Sequence, residues 1–210
     1  MIFITFEGCE GADKAALIDA VQTNLFNRDY SVLRGRLPNF AFNLTKSSVF
    51  DDPLTTKRFW KTTKRQFADI PERTILLQDR WAESTYVYQG LVGAASDGEL
   101  RDAIYRRARQ MTAPDLTIYL RVSPQIAAER IAERDGATPN IERLSKVVDA
   151  YDRLYRDSCS KFSYIAQIWS PSHVSGIWEQ PVYRPLARAQ FDEVVETVAN
   201  LIIDKWKEKY

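Results

Sequence analysis

The chain has little of the residues that most often carry metal and redox chemistry. It contains one histidine, His173, and two cysteines, Cys9 and Cys159, without C-x-x-C spacing. A sole histidine in a polar stretch excludes a His-rich metal site. Two unpaired-looking cysteines exclude a disulfide framework and fit a reducing compartment. Excess charge is also missing: 29 Lys plus Arg stand against 28 Asp plus Glu. A net charge of +1 gives no bulk attraction to nucleic acid or to an anionic membrane, so phosphate recognition has to come from a local site. Long apolar runs are absent too. The start, Met1 to Phe6, is too short for a membrane span and lacks a basic leader. These absences lead us to expect a cytoplasmic protein with no membrane partner and no nucleic-acid partner. The 210 residues suit one domain, 1–210, and 45% apolar with 27% charged residues is a globular balance that argues against disorder.

What is present alternates. Ile2 to Phe6 is β-branched and aromatic and stops at Glu7-Gly8, as a buried parallel strand does. Leu17, Ile18, Val21, Leu25 and Phe26 give 14–27 a helical face. Strands are expected at 30–33, 74–78, 116–122 and 164–169. Helices are expected at 40–50, 54–68, 81–91 and 98–110, from Pro124 onward, and at 141–160. The stripe Phe191, Val194, Val195, Val198, Ile202 and Trp206 marks a last helix. Residues 170–188, broken by proline and glycine, read as a hairpin or long loop. Strand–helix alternation predicts a three-layer α/β fold, a five-stranded parallel sheet with helices on both faces. In such sheets ligands bind beyond the carboxyl ends of the strands.

The first such loop reads Gly8-Cys9-Glu10-Gly11-Ala12-Asp13-Lys14-Ala15-Ala16. A phosphate-binding loop has the form G-x-x-x-x-G-K-[ST]: backbone N–H groups wrap phosphate at a helix N-terminus, lysine neutralises the outer phosphates, and a hydroxyl holds Mg2+. Gly8 and Lys14 fit. Asp13 replaces the second glycine and puts a carboxylate where phosphate would lie. Ala15 removes the hydroxyl. Asp13 also reads as an N-cap whose oxygen would accept from the first-turn N–H groups. That reading makes the carboxylate a stand-in for phosphate.

Further motifs follow the third and fourth strands: Asp79-Arg80-Trp81, then Ser84-Thr85 and Tyr88-Gln89-Gly90, and Pro114-Asp115-Leu116-Thr117-Ile118-Tyr119-Leu120. With Phe6-Glu7-Gly8-x-Glu10-Gly11 and Tyr151, the chain resembles the thymidylate kinase family over roughly residues 1–165, with a degenerate phosphate loop (Walker A). The resemblance implies a P-loop kinase fold, ATP and Mg2+ as the donor pair if the chain is active, and a homodimer. It implies Lys14, Asp79 and Arg80 as catalytic residues, with Gly8, Glu10, Gly11, Asp13, Lys14 and Ala15 as the phosphate loop. Asp79 would order the metal. Glu10, Arg36, Arg58, Arg80, Thr85, Tyr88 and Gln89 would hold a deoxynucleoside monophosphate such as dTMP. Arg130, Arg134 and Arg143 would flank a lid at 135–140. No protein metal-binding cluster is implied.

Each feature has a plainer reading. Asp79-Arg80 also serves as a pair closing a strand, Lys14 as a first-turn lysine, and the lid arginines as a solvated helix face. Two functions stay open: a weak or inactive relative that binds a monophosphate or a protein partner, and an active, atypical kinase for dTMP or a modified pyrimidine deoxynucleotide. The damage is one-sided, on the donor side.

Overall fold

The computed structural model describes residues 1–36, 67, 70–108, 111–136, 138–157, 165–169 and 188–210. Five strands, β1 (Ile2–Glu7), β2 (Val32–Arg36), β3 (Ile75–Asp79), β4 (Leu116–Arg121) and β5 (Ile165–Trp169), form one parallel sheet in the order β2-β3-β1-β4-β5. The helices are α1 (Lys14–Phe26), α2 (Ala82–Thr85), α3 (Gly98–Ala108), α4 (Pro124–Asp135), α5 (Ile141–Asp157) and α6 (Arg188–Lys209), with a π-helical segment at Tyr86–Gly93. The expected sheet is present. The helices expected at 40–50 and 54–68, apart from Phe67, lie outside the described residues, as does 170–187.

Two expectations shift. β2 starts at Val32 rather than residue 30, because the chain leaving α1 is still turning: the Tyr30 N–H donates back to Leu25 O, and Asp29 sits at φ 65°. The helix expected at 81–91 is one α-turn that widens into π geometry. Gly90 permits this, since a Cβ there would sit 2.7 Å from the Tyr86 ring. Such widened turns often re-aim side chains at functional sites.

Strand alternation sorts the site. Ile2, Ile4 and Phe6 of β1 share a core with Leu17, Ile18 and Val21 of α1 and with Val195, Val198 and Ile202 of α6. Phe3 points to the opposite face, against Leu76, Trp81, Ala82, Ala108 and Met111. Thr5 and Glu7 share the Phe3 face, so along β1 that face changes from aromatic to hydroxyl to carboxylate toward the carboxyl end. Asp79 is in register with Phe6 and therefore belongs to the α1 side.

α4 is bounded as its sequence predicts. Pro124 opens it, the Ser123 side chain accepts from Ile126 N at 3.3 Å, and Gly136 closes it at φ 63°. Trp81 anchors the second core: its ring meets Phe3 edge-on at 5.2 Å and Phe67 at 5.5 Å, and Nε1–H donates to Thr112 O at 2.8 Å. Trp81→Phe leaves that carbonyl without its donor and the ring site underfilled. Urea unfolding is expected to show a loss of about 1–3 kcal/mol.

Candidate functional site

The loops after β1 and β3 meet because their strands are paired neighbours. The ladder runs one residue past β3: Arg80 N–H donates to Phe6 O at 3.0 Å. The chain then turns sharply, with Arg80 at φ 62°. A left-handed conformation costs an arginine about 1–2 kcal/mol. It is held by Gln78, whose Nε2 donates to the carbonyls of Asp79 and Arg80 at 3.2 Å each. The bend throws the Arg80 guanidinium back over the first loop, where it donates to Gly8 O at 2.8 Å and to Ser84 Oγ at 3.3 Å. It lies 5.0 Å from the Tyr88 ring centroid. Burial opposes the Arg80 charge. The surrounding Tyr88, Tyr151, Glu7 and Asp79 outweigh it and hold the pKa above the ordinary arginine value.

The first loop is packed at backbone distance against its neighbours. A Cβ on Gly8 (φ 143°) would meet Leu120 O at 2.5 Å, and one on Gly11 (φ 76°) would meet Ala127 O at 2.5 Å. Only glycine fits either place. Lys14 is buried at the start of α1 and turns inward, its Nζ donating to Gly8 O at 3.2 Å and Cys9 O at 2.8 Å. Burial, reinforced by Arg80, brings its pKa down to about 8, with Asp79 opposing.

Asp13 takes the N-cap position at φ 55°, the left-handed conformation for which the motif uses glycine. The expected cap hydrogen bond is not formed. Left-handed geometry aims the side chain away from the first-turn N–H groups, and the carboxylate pairs with Arg130 of α4 at 2.9 Å instead. Arg130 also donates to Gly11 O at 3.2 Å. One turn along α4, Arg134 pairs with Glu10 at 3.2 Å and with Asp135 at 2.6 Å. Two loop carboxylates are thus matched to two arginines at i, i+4 spacing. Arg143 stays exposed at the start of α5, its backbone N–H donating to the Asn140 side chain at 2.9 Å.

Of the expected acceptor residues, Tyr88 is tied to the loop: its hydroxyl accepts from Glu10 N at 3.2 Å. Gln89 is half-buried beside it. Thr85 is buried, with its hydroxyl turned to Trp81 O at 3.5 Å. Arg36 ends β2 in register with Asp79. Arg58 lies outside the described residues. Ala15 is exposed and offers no oxygen.

The residues present fit a divalent cation in one limited way. Asp79 Oδ1 is buried without a hydrogen-bond partner. Among the described residues no group of three or more His, Cys, Asp or Glu is gathered. One carboxylate suits Mg2+, which keeps several waters and takes its other ligands from substrate phosphates.

Sequence reasoning missed a buried polar group under Arg80. Glu7 accepts from Trp81 N at 2.6 Å, Ser84 N at 3.4 Å, Tyr151 Oη at 2.9 Å and the Ser84 hydroxyl. Glu83 lies on the same side of the sheet, bonded by the Thr117 hydroxyl at 3.4 Å. Strand alternation alone puts Glu7 on the Thr5 face, so that signal was available. Nothing in the sequence pattern singles out Glu83.

The family model for thymidylate kinase matches residues 54–167, just over half of the chain. The chain belongs to the thymidylate kinase family. The matched stretch begins downstream of the first loop. A thymidylate kinase from Thermoanaerobacter sp. (strain X514) is 27% identical over 181 residues, covering 78% of this chain and 88% of that protein. One from Shouchella clausii (strain KSM-K16) is 33% identical over 144 residues, covering 62% and 67%. A solved deoxyadenosine kinase from M. mycoides, with products dCMP and dCDP bound, superposes at a TM-score of 0.61. It covers 96% of this chain and 98% of its own at 16% identity, and so supports the fold alone. The thymidylate kinase family binds dTMP-like nucleotides and uses ATP with Mg2+. Among the described residues no helix is long and apolar enough to cross a membrane.

Gly11→Ala tests how tightly the loop is seated. The methyl would clash with the α4 backbone at a positive φ, and thermal denaturation should show a loss of about 1–3 kcal/mol.

Proposed function

We propose that this chain is a thymidylate-kinase-like protein that binds a deoxynucleoside monophosphate and handles ATP weakly or not at all. The observation that carries this is the Asp13–Arg130 pair. Asp13 brings negative charge to the loop that would wrap the triphosphate and engages an arginine proposed to neutralise it. A donor phosphate has to displace that carboxylate or lie against it, and like charges brought together repel. Lys14, folded onto the carbonyls of Gly8 and Cys9, has to be withdrawn as well.

The acceptor side supports monophosphate binding. Arg80 is held at the strand ends as a planar donor fork suited to phosphate. Tyr88 and Gln89 follow eight and nine residues later, and in this reading they flank a base and deoxyribose. A cytoplasmic single-domain homodimer is the assembly we propose, with a protein partner as the outlet for a chain without turnover.

One observation favours the active, atypical kinase. Asp79 keeps a buried oxygen without a partner, next to a retained Lys14. In that reading Mg2+ is held by Asp79, water and the phosphates, and catalysis is mostly positioning and charge neutralisation.

Calorimetry with dTMP and, separately, with ATP–Mg2+ decides between them, together with an assay of ADP release. The expected result is dTMP binding with ATP binding weak or absent. Turnover comparable with ordinary kinases would overturn it. Asp13→Gly with Ala15→Ser should raise ATP affinity tenfold or more, about 1.4 kcal/mol. An unchanged affinity would remove Asp13 from the explanation.

A further inference from the structure

Glu7 and Glu83 are both fully buried, and their partners differ sharply. Glu7 receives four hydrogen bonds, from two backbone N–H groups and two hydroxyls; burial pushes its carboxyl above the ordinary glutamate value, and the Ser84 hydroxyl, the Arg80 charge, the Trp81 N–H and the Tyr151 hydroxyl oppose that rise. Four donors favour the charged form of a carboxyl group. Besides its own backbone N–H, Glu83 receives one long bond, from Thr117, and its Oε2 is buried with no partner. A second naked anion beside Glu7 in a dry interior would cost far more than the fold can supply, so the carboxyl keeps its proton.

We infer that Glu7 is a positioning residue for Arg80, and that Glu83 is carried beside it as a neutral acid. The connection is direct. Glu7 fixes the backbone N–H groups of Trp81 and Ser84, which bracket the start of α2 immediately after the Arg80 bend. It also receives the Ser84 hydroxyl, whose oxygen accepts from the Arg80 guanidinium at 3.3 Å. Tyr151 on α5 closes the group, within 2.7 Å of Ser84 Oγ and 2.9 Å of Glu7. The guanidinium that spans Gly8 and Ser84 is therefore set from below by a carboxylate that touches no ligand. The value of this to phosphate binding rests on the function proposed above; the positioning itself does not.

The groups around Glu83 are Glu7 on β1, Thr117 on β4 and Tyr155 on α5, with Arg80 and Tyr151 beyond Glu7. Burial first, then the Glu7 charge, raises the Glu83 carboxyl to about 8. A carboxyl raised in the folded state holds its proton where the unfolded chain has already released it. Stability is then full below the unfolded value, falls as pH rises toward about 8, and levels off above that.

Two nucleotide-free measurements on the full chain test this, and neither depends on whether a nucleotide binds. The first is the Arg80 Nε–Hε signal in 15N NMR, assigned by its loss in Arg80→Lys. It should move in Glu7→Gln and in Ser84→Ala, and stay in place in Glu83→Gln at pH 7. If Glu7→Gln does not fold, Ser84→Ala decides, because it cuts the connection above an intact Glu7. A signal unmoved by Ser84→Ala overturns the positioning role. The second is urea unfolding at pH 5 to 9. The folding equilibrium constant of the wild type relative to Glu83→Gln should fall by about tenfold per pH unit below pH 8 and then flatten. A flat ratio across the range overturns the neutral acid.

Discussion

The backbone hydrogen bond from Arg80 to Phe6 extends the β1–β3 ladder by one residue and fixes where two loops meet. Because it is made, the left-handed bend at Arg80 is tolerated and the guanidinium returns over Gly8. Because Gly8 itself lies against the end of β4 with no room for a side chain, the first loop cannot retreat from that guanidinium. Tyr88, brought round by the π-helical turn, then closes the arrangement by covering Arg80 and accepting from Glu10. The loops after β1 and β3 are parts of one bonded assembly.

The sheet and most of the described helices are legible in the sequence because they rest on local patterns. Buried β-branched runs, the Pro124 start and Gly136 stop, and the stripe on α6 each carry their own signal. The side-chain destinations are not legible. Asp13 reads as a helix cap, yet a cap needs extended backbone at that residue, and the loop imposes a left-handed one in place of glycine. Its carboxylate instead meets Arg130, more than a hundred positions away, in a pairing that no spacing rule announces. The π-helical turn is hidden for a similar reason, since it depends on Gly90 giving space to the Tyr86 ring.

Glu7 and Glu83 show the limit from the other side. Both are charged residues in the sequence, and composition counts them alike. The fold buries both and gives one of them four donors and the other a long bond from Thr117, so their partners separate their chemistry. The first loop shows the same thing: Asp13 looks like a loss when read against a motif, while in the structure it makes a contact between the loop and α4.

Those contacts have a physical character that the rest of the site lacks. Asp13, Glu10 and Arg134 are well exposed, with side-chain accessibilities of 44%, 56% and 58%, whereas the group beneath Arg80 is sealed. Mobile ions reach the first set and not the second. At about 0.15 M salt the screening length is about 8 Å, and raising the salt shortens it further, loosening exposed pairs while leaving buried ones alone. The clasp between the first loop and α4 is therefore tuned by the ionic atmosphere, and the seat of Arg80 is insulated from it.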